Sequence, residues 1–299
     1  MRGNKRFRIT RSAALSCCRA LLLLALWTPP WAHAQSPYQG PMIDAHSHLS
    51  SLEALDSLIA AMKRHNVSRV ALLGVGAVQP RDVEWIGAAV TRYPNRVIPF
   101  APLPDPTNPA GVKRLETLLG TGRYKGVGEV HVRQVSRKID RSADDPAFGQ
   151  YLELAATHGV PVVIHSELND AASKSLAQAL KRRPNVTIVL AHAGSAEPGR
   201  IESLLRAHAN LRVDLSGMHF MRNPSLASEK GPLNPSWKAV MEKMPDRFLM
   251  GIDVWAPQLL KAETLDRLML WTRRVLGELN RDAAEQIAYK NAARLFKLE

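Results

Sequence analysis

Pro161-Val162-Val163-Ile164-His165-Ser166-Glu167, followed after one helix-like segment by Thr187-Ile188-Val189-Leu190-Ala191-His192, decides the fold. Both runs are apolar without polar alternation, the pattern of parallel strands buried on both faces. The segment between them, 172–182, has helical amphipathicity and ends at Arg183-Pro184-Asn185, where proline stops a helix. The helix before them ends at His158-Gly159. The same unit recurs outward in both directions. Strands are predicted at 42–44, 69–75, 97–101, 126–130, 160–165, 186–191, 211–215 and 248–254, with helical patterns at 52–64, 83–93, 111–119, 148–158, 172–182, 200–208 and 237–243. Eight strand–helix units in about 250 residues are the arithmetic of a single-domain α/β fold, the (β/α)8 TIM barrel. A doubly wound open sheet is the alternative, but no glycine-rich dinucleotide turn follows the first strand. Segments 259–279 and 282–298 read as two helices closing the barrel. Residues 216–235, with Asn223-Pro224, Gly231-Pro232 and Asn234-Pro235, read as a long loop after the seventh strand, and loops of that length are often lids.

The barrel accounts for residues 35–299. Residues 1–34 read as a signal peptide: a basic head (Arg2, Lys5, Arg6, Arg8), a short apolar run Leu21-Leu22-Leu23-Leu24-Ala25-Leu26-Trp27, and Ala32-His33-Ala34 before a cleavage point at Gln35. The run is too short for a bilayer about 30 Å thick, so no stable membrane anchor is expected after cleavage. Export, to the periplasm or beyond, changes the charge. The chain of 299 residues carries a formal +13, but residues 1–34 hold six basic and no acidic residues, leaving +7 for the remaining 265. No long basic run survives, and aromatic residues are only 6%, so nucleic acid is not an expected partner. Both cysteines, Cys17 and Cys18, also lie in the leader. Disulfides, thiolate ligands and cysteine nucleophiles are therefore excluded from the exported chain, and any metal there rests on His, Asp or Glu.

In a barrel of this kind chemistry sits at the C-terminal ends of the strands. Here the first predicted strand ends Asp44-Ala45-His46-Ser47-His48 and the fourth Gly128-Glu129-Val130-His131. The fifth ends His165-Ser166-Glu167, the sixth His192-Ala193-Gly194 and the eighth Asp253-Val254-Trp255. A lone histidine after a strand is ordinarily a satisfied polar residue, and Asp253 alone reads as a cap or loop anchor. His46 and His48 are alternate residues of an extended segment, so both rings reach one side. Burying so many polar groups unpaired would cost several kcal/mol each, and a divalent metal is a common partner for them all. Just beyond the strand ends, His131, Arg133, Glu167, His219, Arg222 and Trp255 are candidate substrate-binding residues. Arg133 and Arg222 suit a substrate carboxylate.

His46-Ser47-His48, His165, His192 and Asp253 match, in order and placement, the amidohydrolase superfamily, which the chain resembles over essentially all of its length after the leader. Asn291-Ala292-Ala293-Arg294-Leu295-Phe296 is similar to the terminal helix of the superfamily's amidohydrolase-related (amidohydrolase 2) branch, which includes decarboxylases, lactonases and simple hydrolases. Gly126-Val127-Gly128-Glu129 is similar to the strand-four run of TatD-like metal-dependent hydrolases, in which a glutamate bridges two metals. The resemblance implies one metal on His46, His48 and Asp253 and a second on His165 and His192, with Glu129 between. A one-metal site would use His46, His48, His165 and Asp253, leaving His192 to polarise the substrate. The implied cofactor is a divalent metal, one or two ions; Zn2+ suits the donors and Mn2+ also fits.

The implied function is metal-dependent hydrolysis of an ester, lactone or amide of a small molecule, with Asp253 as the catalytic base and then acid. The competing readings are non-oxidative decarboxylation on one metal, phosphodiester or DNA hydrolysis of the TatD kind, and a non-catalytic secreted binding protein. The expected partner is a small-molecule substrate, with a homo-oligomer allowed.

Overall fold

The computed structural model describes residues 36–74, 79–103 and 105–298. The expected signal peptide with both cysteines, and the last residue of the strand expected at 69–75, lie outside these. Nine strands form: β1 (Met42–Ser47), β2 (Val67–Leu72), β3 (Val97–Ala101), β4 (Gly126–Gln134), β5 (Ile139–Asp140), β6 (Val162–Ser166), β7 (Ile188–Leu190), β8 (Leu211–Asp214) and β9 (Phe248–Leu249). Eight run parallel in the order β1-β2-β3-β4-β6-β7-β8-β9, and β5 pairs antiparallel with β4 alone. The ring closes through main-chain bonds rather than a ladder. Ala45 N donates to Met250 O (2.9 Å), Asp253 N to His46 O (2.8 Å) and His48 N to Val254 O (2.8 Å). Asp44 fastens the same seam: its Oδ1 accepts from Ile252 N (2.9 Å) and its Oδ2 from Ser47 Oγ (2.6 Å).

The connecting helices are α1 (Ala54–Arg64), α2 (Asp82–Arg92), α3 (Gly111–Gly120), α4 (Pro146–Thr157), α5 (Asp170–Arg182), α6 (Pro198–Ala207) and α7 (Pro235–Lys243). Their starts follow from capping: Asp145, Asn169 and Asn234 accept main-chain N–H bonds at the first turns of α4, α5 and α7. None of the described helices is long and apolar enough to cross a membrane. The apolar core has two layers. Met42, Leu72, Val130 and Ile164 pack outward against the helices, while Ile43, Ala45, Ile98, Phe100, Val163, Val189 and Leu249 fill the barrel.

The two closing helices are present. After α8 (Ala262–Gly277) the chain runs through α9 (Arg281–Glu285), one wider π-helical turn at Gln286–Lys290 and α10 (Asn291–Leu295). Phe296 then stands edge-on to Phe100, ring centroids 5.2 Å apart, and plugs the floor of the barrel. Asn291 Nδ2 ties this end to β9 by donating to Pro245 O and Phe248 O, both at 2.7 Å.

The long loop expected at 216–235 is irregular as predicted, but it is fastened in place. Leu226 and Leu233 are fully buried, and Leu226 N donates to Met218 O (2.9 Å) and Asn234 N to Leu226 O (2.8 Å). Two further details differ from expectation. The eighth strand is a ladder only at Phe248–Leu249, because residues 250–254 turn across to β1. The fourth is longer than expected and continues into the hairpin with β5.

Candidate metal centre

β6 alternates, which turns His165 inward after the interior Val163, and β4, past a register shift between Val127 and Val130, turns Glu129 and His131 inward on either side of the outward Val130. At β1 the pairing register with β2 shifts between Asp44 and Ser47, and beyond Ala45 the side chains of His46 and His48 turn to the centre. His192 follows β7 in a left-handed turn, φ 54°, continued by Ala193, Gly194 and Ser195. Asp253 is also left-handed, φ 58°. Each such non-glycine residue costs about 1–2 kcal/mol, and residues held this way cluster at functional sites. The turn is held from below: His192 N donates to Asp214 Oδ1 (3.1 Å).

All six residues expected to ligate metal are brought together and buried. His46 and His48 present Nε2 atoms 3.2 Å apart. Glu129 stands at the middle. Its Oε1 is 3.0 Å from His165 Nδ1, 3.1 Å from His192 Nε2 and 3.8 Å from His46 Nε2. Its Oε2 is 3.4 Å from His131 Nε2 and 3.6 Å from His48 Nε2. Asp253 Oδ1 lies 3.4 Å from His48 Nε2.

The outer hydrogen bonds fix the tautomers, and the tautomers point to a cation. His46 Nδ1 donates to Asp214 Oδ2 (2.9 Å), His48 Nδ1 to Leu73 O (2.9 Å) and His192 Nδ1 to Ser216 O (2.9 Å). Carboxylates and carbonyls only accept, so each Nδ1 carries the proton. In the neutral rings each Nε2 is then a bare lone pair. Two of those lone pairs face each other, and the third faces a carboxylate oxygen. The arrangement is repulsive unless positive charge sits among them, and a divalent ion satisfies all three at once. Protons alone take that place in part. Burial opposes it, but Asp214 and Glu129 push His46 up to about 10. Burial also opposes ionisation of the two carboxylates. Even so, His46, with hydrogen bonds from His131, His165 and His192, holds Glu129 well below the carboxylate range, and the His192, His48 and His46 charges do the same for Asp253.

The possible donors fall into three sets whose ligating atoms lie within 4.8 Å of one another: His46, His48, Asp253; Glu129, His131, His165; and His46, Glu129, His192. His131, expected to touch substrate, lines the cavity above the centre and also stands among the possible donors. Glu129-Val130-His131 has the same one-residue spacing as His46-Ser47-His48, which was the available signal. The other expected substrate contacts divide. Arg222 and Trp255 line the cavity above the centre, which holds about 200 Å³. Arg222 Nη1 donates to Asp253 Oδ2, and both crowd Gly217 (φ +67°), where any Cβ would lie 2.6 Å from Arg222 Nη1. Arg133 and Glu167 are outside the cavity lining and brace strands instead. Arg133 Nη1 donates to Glu167 O (2.7 Å), and Glu167 Oε2 accepts from Val135 N (3.1 Å). His219 is buried beside the site, where burial and then Arg222 hold it down to about 4, so its ring is neutral.

Four participants lie outside the expected set. Asp214 orients His46 and the His192 turn, and it ends Leu211-Arg212-Val213-Asp214, a strand-end carboxylate like the others. Gln134, Ser136 and Arg137 line the cavity from the unexpected hairpin.

The amidohydrolase family model matches residues 43–298. No functionally curated protein matches the sequence. Among solved structures, the chain is similar to a putative amidohydrolase from Staphylococcus aureus, with TM-score 0.62 and 18% identity over 86% of this chain and 100% of that one. It is also similar to a dihydroxybenzoic acid decarboxylase from Polaromonas sp. JS666 with bound manganese, with TM-score 0.60 and 15% identity over 87% and 97%. A third is an amidohydrolase from Burkholderia multivorans with bound zinc, with TM-score 0.58 and 16% identity over 86% and 99%. At these identities the likenesses carry the barrel alone. With the family match spanning the barrel and the donors converging at its mouth, the chain belongs to the amidohydrolase family and is a metal-dependent enzyme of the amidohydrolase superfamily.

Proposed function

We propose that the enzyme hydrolyses an ester, lactone or amide of a small molecule with two divalent ions at the barrel mouth. The observation that carries this reading is the placement of Glu129. Its two oxygens reach toward different histidines, with His46, His48 and Asp253 forming one compact set and His131 and His165 joining Glu129 in another. A carboxylate between two such sets is the arrangement of a bridge, as in the TatD-like run that Gly126-Val127-Gly128-Glu129 resembles. His192 Nε2 joins from the Oε1 side. Zinc suits these nitrogen and oxygen donors, and manganese also fits; similar barrels hold one or the other.

Two divalent ions held by these residues would supply Lewis-acid activation of the scissile group and of water. The chain supplies the rest. Asp253, kept ionised by its histidine neighbours, accepts the proton of the attacking water at a carboxylate oxygen and returns it to the leaving group. Arg222 holds that carboxylate in place through Oδ2. The basic, apolar and Ala32-His33-Ala34 segments of the leader support export of the enzyme, to the periplasm or beyond.

Non-oxidative decarboxylation of an acidic ring compound is the second reading. In its favour, His46, His48 and Asp253 already make a compact set without Glu129. One ion there, with His165, would leave His192 to the substrate.

The test is Asp253→Asn in the metal-loaded protein with a panel of esters, lactones and amides. Turnover is expected to fall by about 10³-fold or more while most of the metal stays bound. Retained hydrolysis would remove Asp253 from the mechanism. Release of carbon dioxide from aromatic acids, with no hydrolysis, would establish the second reading.

A further inference from the structure

The cavity above the metal centre contains a cation without a counter-charge. Arg137 lines it, makes none of the hydrogen bonds or ion pairs found among the described residues, and keeps its Nη1 out of water. Gln134 lines the same wall, and its Oε1 is likewise buried without a donor. Both come from the β4–β5 hairpin, which is fastened to its neighbours at several points. Arg133 pairs with Asp140 and Gln134 with Ile139, Val135 N donates to Glu167 Oε2 (3.1 Å), and Arg141 Nη1 donates to His131 O (3.2 Å). A buried guanidinium nitrogen and a buried amide oxygen left unpaired are both costly, although both side chains are partly exposed. Lining the cavity above the candidate metal centre, both are placed for a ligand that brings the missing partners.

We propose that Arg137 is a specificity residue that selects a substrate bearing a free carboxylate remote from the scissile bond. Gln134 Oε1 accepts from a neighbouring hydroxyl or amide N–H of the same substrate. This rests on the hydrolase reading and adds the substrate class to it. The ligand is a carboxylate because one planar guanidinium matches it with two parallel bonds and one charge. A dianionic phosphate would need a second cation, and the neighbouring arginines are committed, Arg222 to Asp253 and Arg133 to Asp140 and Glu167. The cavity of about 200 Å³ suits a short chain or a single ring. Trp255, 44% exposed at the rim, offers its body an apolar face.

The experiment titrates metal-loaded protein calorimetrically with dicarboxylates from succinate to adipate and with their monoamides. Each pair offers one carboxylate to the ions, and only the diacid offers a second to Arg137. The diacid of the best-fitting length is expected to bind on the order of 30-fold more tightly than its monoamide. Arg137→Gln is expected to reduce that ratio to about 3-fold or less, and Arg137→Lys to an intermediate value, since lysine keeps the charge without the planar fork. Lys138→Gln removes a charge from the same turn outside the cavity and is expected to leave the ratio intact. Equal binding of diacid and monoamide by the wild type would overturn the proposal. So would equal loss in Arg137→Gln and Lys138→Gln, which would reflect only the general field. Because the readout is binding, it answers for Arg137 even if no ester is hydrolysed, an outcome that would count against the hydrolase reading alone.

Discussion

His46 shows how the surroundings of a single residue fit it to be a ligand. Its Nδ1 is tied to Asp214, so its Nε2 lone pair must face inward, 3.2 Å from the equivalent atom of His48. The same carboxylate also receives the main-chain N–H groups of His192 and Ser216. Asp214→Asn should therefore weaken metal binding about 10- to 100-fold, read by chelator competition, through lost orientation and basicity of His46. Unchanged affinity would mean that Asp214 serves only the turn. At this scale the sequence was largely legible. His46, His48, Glu129, His165, His192 and Asp253 could be picked because each stands at a strand end. Asp214 met the same criterion and was passed over. The roles of Arg133 and Glu167 were not legible, because both act across to a neighbouring strand and sequence spacing does not show which strands are neighbours.

Among the elements, the strands and helices around the ring followed from apolar runs and caps, and the exceptions have physical causes. The β4–β5 hairpin was invisible because its turn, Val135-Ser136-Arg137-Lys138, has none of the glycine or asparagine that usually marks one. Lys138 takes the left-handed position instead, φ 57°. The last strand is short because its chain leaves the ladder to carry Asp253 across to β1. The terminal helix is an element with a specific anchor, the Asn291 amide bonded to two carbonyls beneath β9. Asn291→Ala leaves both acceptors buried and should cost about 2 kcal/mol, lowering the melting temperature by roughly 4–8 °C. A thermal scan with no shift would show that Phe296 and its neighbours hold the helix unaided.

For the whole molecule, the fold makes a site from residues as far apart in the chain as His46 and Asp253. The barrel closes between the segments that carry them, so Asp253 N donates to His46 O (2.8 Å). The formal charge of +13 played no part in this; the charges that matter are a few buried carboxylates and the histidines turned toward them. Ring closure by Asp44 and by main-chain bonds was not legible from apolar patterning, which reports burial and not pairing. On the proposed reading Glu129 would lie between two ions in this ring of donors. Elemental analysis of zinc-loaded protein tests it most directly, beside Glu129→Ala prepared in the same way. The prediction is about two ions per chain in the wild type and about one in the variant. One ion in both proteins, or none above background, would contradict it.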